Sequence, residues 1–211
     1  MSREAILSQI DAFFTAKVRE HGPGHLGMDW KSQESQYLRF EQLVRLFDGE
    51  DDFSIIDYGC GAGALLDYLG GRKPKVRYTG FDISEAMISE AKRLHPIAPN
   101  CSFTTQANEL IAADYTVASG IFNMKQQTPD DQWRMLMEHT VDEMNRLSSQ
   151  GFAFNVLTLY SDVEKRRPDL YYADPLYWFD LCKRRYSSRV ALLHDYPAWE
   201  FTILVRKSCN E

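Results

Sequence analysis

The chain has 211 residues, 44% of them apolar, and 30 acidic against 24 basic side chains leave a formal net charge of −6. That much apolar material in a chain of this length excludes a disordered protein and predicts a single domain over residues 1–211. The acidic balance argues against a nucleic acid or an anionic membrane surface as partner, because both select a basic face.

The first element is an amphipathic helix over 3–20, with Ile6, Leu7, Ile10, Phe13, Phe14 and Val18 spaced at three and four. Arg3, Glu4 and Asp11 interrupt its apolar run, so it reads as neither a signal peptide nor a membrane span. HGPGHLG, 21–27, breaks the chain. A second helix follows over 33–47, on Tyr37, Phe40, Leu43, Val44 and Phe47. After the acidic loop 49–52 the period changes. FSIIDY, 53–58, is a strand, and 64–69 a helix stopped by Gly70 and Gly71. Residues 76–82 form the second strand, and Ser84 caps a helix through Leu94 that Pro96 ends. Strands are predicted at 101–106 and 116–122. A long helix over 130–147 carries Trp133, Leu136, Met137, Val141, Met144 and Leu147 on one side. A fifth strand over 151–159 and an aromatic-rich helix over 175–185 precede two last strands, 189–195 and 199–206. Their link is too short for a helical crossover, so they pair antiparallel. Strands alternating with helices give a doubly wound, mostly parallel α/β sheet with helices on both faces, and a ligand site at the carboxyl ends of its strands.

Cys60, Cys101, Cys182 and Cys209 stand far apart with no C-x-x-C pair. That is neither zinc spacing nor a disulfide framework, and it fits a reducing, cytoplasmic compartment. The basic runs at 165–167 and 183–185 are short and read as solvated surface.

The chemically loaded stretch is SIIDYGCGAGALL, 54–66: a strand, the acid Asp57, a turn with Gly59, Gly61 and Gly63, and the start of a helix. Glycine lets a ligand approach backbone where any Cβ would collide. The helix start adds unpaired N–H groups and a positive dipole end that suit an anionic or carboxylate-bearing ligand. GCGAGA also satisfies the dinucleotide fingerprint, so a nicotinamide enzyme stays open. Three features shift the balance. Asp57, two residues before the first glycine, suits an amino group and sits badly with a pyrophosphate. The turn runs G-x-G-x-G, and the sheet closes with a hairpin.

IIDYGCGAG, followed by GFDIS with Asp82 at the end of the second strand, resembles the class I S-adenosylmethionine-dependent methyltransferases over roughly residues 30–206. SGIFN, GFAFNVLT and LLHDYPAWEFTILVRK are similar to small bacterial members of unassigned substrate, some associated with surface-sugar biosynthesis. The resemblance implies a Rossmann-like, seven-stranded core over 53–206 behind an N-terminal helical lid over 1–48. It implies S-adenosylmethionine as cofactor and S-adenosylhomocysteine as product. Gly59, Cys60, Gly61 and Gly63 would line the methionine part, with Asp57 supporting its ammonium. Asp82 would accept both ribose hydroxyls. Ile83 and Met87 would flank the adenine. The family usually places an acid after the third strand to meet the adenine amino group; here FTTQANEL offers Ala107 and Asn108, and the role passes to the Asn108 amide oxygen. Gly120 and Ile121 would floor the reacting sulfur. In the lid, Trp30, Gln33, Gln36, Tyr37 and Arg39 lie nearby, of which Gln36, Tyr37 and Arg39 are polar enough to reach the cofactor.

Methyl transfer from a sulfonium is an in-line displacement that mainly needs alignment, and a base is required only for a poorly ionised hydroxyl. Strand-end groups on the acceptor side are Asn123, Lys125, Tyr160, His194 and Asp195. Asn123, Lys125 and His194 are the catalytic candidates, His194 as base because imidazoles as a type titrate near neutrality. Tyr171, Tyr172, Tyr177, Trp178 and Phe179 either cover the acceptor pocket or pack a helix on the sheet, the second reading preferred for Trp178 and Phe179. No N/D-P-P-Y/W tetrapeptide or Pro-Cys pair follows the fourth strand, and no carboxylates end it. Adenine-N6, cytosine-C5 and magnesium-dependent chemistries are therefore set aside. The expected protein transfers a methyl group, without a metal, to an O or N atom of a small molecule such as a sugar, as a monomer or homodimer. Two alternatives remain: an NAD-dependent oxidoreductase, or an S-adenosylmethionine-binding protein without catalysis.

Overall fold

The computed structural model describes residues 1–27, 32–73, 75–96 and 100–207; Trp30 and Cys209 lie outside the described residues. Six helices are present among them: α1 (Arg3–His21), α2 (Gln33–Val44), α3 (Ala64–Gly70), α4 (Glu85–Leu94), α5 (Asp130–Arg146) and α6 (Pro175–Arg185). Four of them begin where side-chain oxygens accept the first unpaired N–H groups. Ser2 caps α1, Ser32 α2, Ser84 α4 and Asp174 α6, the last with Pro175 at the first helical position. Gly22, at φ +75°, ends α1 in a conformation open to glycine.

The strands are β1 (Ser54–Tyr58), β2 (Arg77–Phe81), β3 (Cys101–Thr104), β4 (Ala113–Ala118), β5 (Ser148–Leu157), β6 (Arg189–Leu193) and β7 (Glu200–Arg206). They form one seven-stranded sheet in the order β3-β2-β1-β4-β5-β7-β6. β1 to β5 run parallel, and β7 inserts antiparallel between β5 and β6. The strand order reverses between β1 and β4, so the crevice for a ligand opens there, at the carboxyl ends.

Both sheet faces are covered, as a parallel sheet requires. Side chains alternate along each strand: Phe152, Phe154 and Val156 of β5, with Phe201, Ile203 and Val205 of β7, join Trp133, Met137 and Trp178 of α5 and α6. Ala153 and Leu204 point the other way, to Phe40, Leu43 and Phe47 beside α2 and to Leu65 and Leu69 of α3. α1 packs on α4, where Thr15 Oγ1 meets Ser84 Oγ at 2.8 Å.

Several strand boundaries differ from those read in the sequence, most in β3, β4 and β5. β4 ends at Ala118 instead of continuing to 122. Asn155 Oδ1 takes the Gly120 N–H at 2.8 Å, Gly120 turns to φ +75°, and the chain leaves the ladder. Its early start at Ala113 pairs with Ser148, which lengthens β5 toward its N-terminus. At the other end, Asn123 Oδ1 accepts the Leu157 N–H and closes β5 at that residue. β3 stops at Thr104, whose hydroxyl accepts the Gln106 N–H at 3.0 Å. The basic runs lie on the surface as expected, with Lys165, Arg167, Lys183, Arg184 and Arg185 exposed and only Arg166 half-buried. Arg166 donates to Leu159 O, Ser161 O and Ser161 Oγ, tying its loop together, and Arg185 meets Glu138 at 3.2 Å.

Candidate active site

The turn after β1 is held across the end of β2. The Gly59 and Cys60 N–H groups both donate to Phe81 O, at 2.7 and 2.9 Å. Gly59 sits at φ +83°, and a Cβ there would lie 2.2 Å from Ile121 Cγ2, so only glycine lets the β1 and β4 turns approach this closely. Gly61, at φ +54°, donates its N–H to Asp82 Oδ2 at 2.9 Å. Asp82 Oδ1 takes the Ser84 N–H, also at 2.9 Å. The carboxylate is thereby fixed between the glycine turn and the N-terminus of α4.

Two carboxyls carry the electrostatics, Asp57 buried and Asp82 half-buried at the cavity wall. Burial raises Asp82, against the lowering pull of the Ser84 and Gly61 N–H groups, with the charge of Asp11 adding to the rise. Burial also pushes Asp57 from the usual carboxylate range up to about 7; the Tyr78 hydroxyl, donating to Asp57 Oδ2 at 2.6 Å, opposes that shift. The Cys60 thiol is raised by burial and by both acids, which leaves it uncharged and unsuited to act as a nucleophile.

These groups open on a cavity of about 280 Å³ at the carboxyl edge of the sheet. Of the residues expected to meet a cofactor, Asp57, Gly59, Cys60, Gly61, Asp82, Ile83, Met87, Gly120, Ile121 and Gln36 line it. Gly63, Asn108, Tyr37 and Arg39 are not in its lining. Gly63 begins α3 at φ +90°, and a Cβ there would lie 2.8 Å from His95 Cε1, so its freedom serves packing. Asn108 is exposed in a short 3₁₀ turn over Ala107–Glu109. Tyr37 packs edge-on to Tyr68 at 5.1 Å. Arg39 forms a two-pronged ion pair with Glu200, at 2.7 and 2.8 Å, and also bonds Ser35.

The expected acceptor-side groups also stand elsewhere. Asn123 bridges Glu200 Oε1 and the Leu157 N–H, a buried structural role. Lys125 pairs with Asp130 at 3.0 Å. His194 and Asp195 are exposed, and the His194 ring faces Tyr160 and Phe201 at 6.0 and 6.3 Å between centroids. In the aromatic cluster, Trp178 is fully buried edge-on to Phe154, and Tyr177 donates to Glu138 at 2.5 Å on the surface. None of these lines the cavity.

The sequence reading expected a lid over 1–48 but named none of the α1 and α5 residues that line this cavity. α1 contributes Arg3, Leu7, Ile10, Asp11 and Phe14, and α5 contributes Trp133, Leu136 and Thr140. Leu7, Ile10 and Phe14 stand at i, i+3 and i+7 on the same apolar face as Ile6 and Val18, and the width of that face was the available signal. Arg3 reaches Glu143 at 3.7 Å, and Glu143 Oε2 accepts the Tyr58 hydroxyl at 3.0 Å, which joins α1, α5 and β1 around one end of the cavity. Among the described residues no group of three His, Cys, Asp or Glu side chains is arranged to hold a metal ion, and no helix is long and apolar enough to cross a membrane.

A family model described as "Methyltransferase domain" matches residues 56–143. A curated protein of Mycobacterium tuberculosis (strain ATCC 25618 / H37Rv), named "Putative methyltransferase Rv1506c", is 53% identical over 165 residues, covering 78% of this chain and 99% of the relative. The fold is similar to magnesium protoporphyrin IX methyltransferase (ChlM) from Synechocystis PCC 6803 with bound SAM, at TM-score 0.65 and 15% identity, covering 97% of this chain and 96% of that one. It is also similar to a DhpI–SAH complex, at TM-score 0.62 and 17% identity, covering 99% and 100%.

Proposed function

The chain belongs to the class I S-adenosylmethionine-dependent methyltransferases, and from that premise we propose that it methylates an O or N atom of a small molecule within the cavity roofed by α1. As a member of that family it is an enzyme that uses S-adenosylmethionine, and the nicotinamide alternative is not favoured.

The lining fits that cofactor. The turn 59–61 lines the cavity and carries no side chain at Gly61, so a ligand can lie against its backbone. Asp57 would take the ammonium, and Asp82 the ribose diol, since a carboxylate accepts two O–H bonds at once. Ile83 and Met87 would flank the adenine, and Gly120 and Ile121 would form the floor. When bound, the cofactor would supply an electrophilic methyl carbon with a neutral thioether as its leaving group. The protein's own task is alignment. Asn155 holds Gly120, the Arg39–Glu200–Asn123 network joins α2 to β7 and to the turn after β4, and the roof of α1 excludes water. We propose that residues 1–48 act as this roof within one domain, that no metal takes part, and that the enzyme works in a reducing compartment, a reading supported by unpaired Cys60, Cys101 and Cys182.

The observation that carries the reading is the Asp82 carboxylate, fixed by the Gly61 and Ser84 N–H groups at the cavity wall. Asp82→Asn keeps an acceptor for one of those donors and removes the charge. Hydrogen bonds to a charged group contribute about 1.5–3 kcal/mol, so calorimetric titration with S-adenosylhomocysteine should show affinity falling about tenfold to a hundredfold. Unchanged affinity would refute the assignment.

A further inference from the structure

The walls of the cavity divide by element. The strand ends and the glycine turn bring Asp57, Asp82 and the backbone N–H groups, and one edge of α1 adds Arg3 and Asp11. α1, α5 and the turn after β4 bring Leu7, Ile10, Phe14, Trp133, Leu136 and Phe122. The polar groups within that second wall are already engaged. Trp133 Nε1 donates to Phe122 O at 2.8 Å, and Thr140 Oγ1 donates to Leu136 O at 3.0 Å. The charged side chains of the lining are Asp11, Asp57, Asp82 and Arg3, and Arg3 meets Glu143 at 3.7 Å.

A sugar presents a hydroxyl on nearly every carbon, and each one buried needs a partner. This wall has few to give. An anionic acceptor would enter a space with three carboxyls and one cation that already has an acid beside it. Flat rings, in contrast, gain from Phe14, Phe122 and Trp133 by area and by edge-to-face contact.

We propose that the methyl acceptor is an uncharged, aromatic or similarly flat apolar molecule, its body held between α1 and α5 and its O or N nucleophile turned to the glycine turn. The inference rests on the methyltransferase reading and replaces the sugar that the sequence led us to expect.

The test uses the full chain saturated with S-adenosylhomocysteine and a neutral fluorescent aromatic, N-phenyl-1-naphthylamine. Its fluorescence should rise saturably to one molecule per chain, and excess methyl α-D-glucopyranoside should leave that signal in place. Leu7→Gln with Ile10→Gln, on half-buried positions of α1, should weaken the probe at least tenfold more than it weakens S-adenosylhomocysteine. Displacement of the probe by S-adenosylhomocysteine, displacement by the glucoside, or probe affinity indifferent to the α1 changes would each overturn the inference and leave the methyltransferase reading standing. Failure of S-adenosylhomocysteine to bind at all would overturn both. Should the double variant fail to fold, the two competition measurements on wild type still decide.

Discussion

Replacing Asp57 by Asn removes a charge that the fold holds against its solvation and keeps the side chain's shape. Burial raises the Asp57 carboxyl from 3.8 to about 7, with Tyr78 opposing and the Asp82 charge adding to the rise. About three units at roughly 1.4 kcal/mol each correspond to a cost of about 4 kcal/mol for the ionised form in the folded protein. The sign follows from proton binding. Between about 4 and about 7 the folded state holds this proton more firmly than the unfolded chain, so stability declines as pH rises through that window, and above it the whole cost is present. Tyr78 on β2, Cys60 in the turn and Asp82 beyond β2 are the titratable groups facing Asp57; all three remain in the variant, so the difference between the two proteins isolates Asp57. Calorimetric scans of ligand-free protein from pH 5 to 8 should show wild type losing stability relative to Asp57→Asn, with the gap reaching about 10 °C in Tm near pH 8. Binding gives the second limb. If the ionised carboxylate meets the ammonium, S-adenosylhomocysteine affinity should rise about tenfold per unit up to about pH 7 in wild type and stay flat in the variant. Parallel stability curves, or parallel affinity curves, would refute the reasoning.

Other changes separate the site from its supports. Gly59→Ala places a methyl group 2.2 Å from Ile121 Cγ2 at φ +83°, and should reduce S-adenosylhomocysteine affinity at least tenfold by titration. Arg39→Ala strands the Glu200 carboxylate, whose side chain is 1% exposed, and should lower stability by about 3–5 kcal/mol in urea unfolding. Turnover in the presence of EDTA should equal turnover in its absence, with or without added magnesium; loss restored by magnesium would refute metal-independent transfer.

The parallel sheet was legible because buried strands and amphipathic helices differ in period, and because the link between the last two strands leaves no room for a crossover. The glycine turn was legible for the same local reason: a strand, an acid and three glycines sit within one short stretch. Groups brought together from distant parts of the chain were not. Arg39 looked like a lid residue reaching for a ligand, yet its partner Glu200 lies 161 positions away. Asn123 and Lys125 sit after a strand, where acceptor groups are often found, but Leu157 and Glu200 take the first and Asp130 the second. Gly63 completes the motif in sequence while its free space belongs to His95. A pattern specifies which backbone positions need glycine; it does not say which side of the turn the space serves.

The roof follows the same logic in reverse. α1 could be read from the sequence as an amphipathic helix, but not that its one apolar face is shared, with Ile6 buried in the core while Leu7, Ile10 and Phe14 line the cavity and Leu7 and Ile10 also pack against that core. At the edge of that face lies Asp11, whose charge raises Asp82 and whose Oδ1 accepts from Thr15, which in turn meets the Ser84 cap of α4. Asp11 on α1 and Asp82 beyond β2 are like charges lining one cavity, and a ligand that places a cationic group between them would relieve that repulsion.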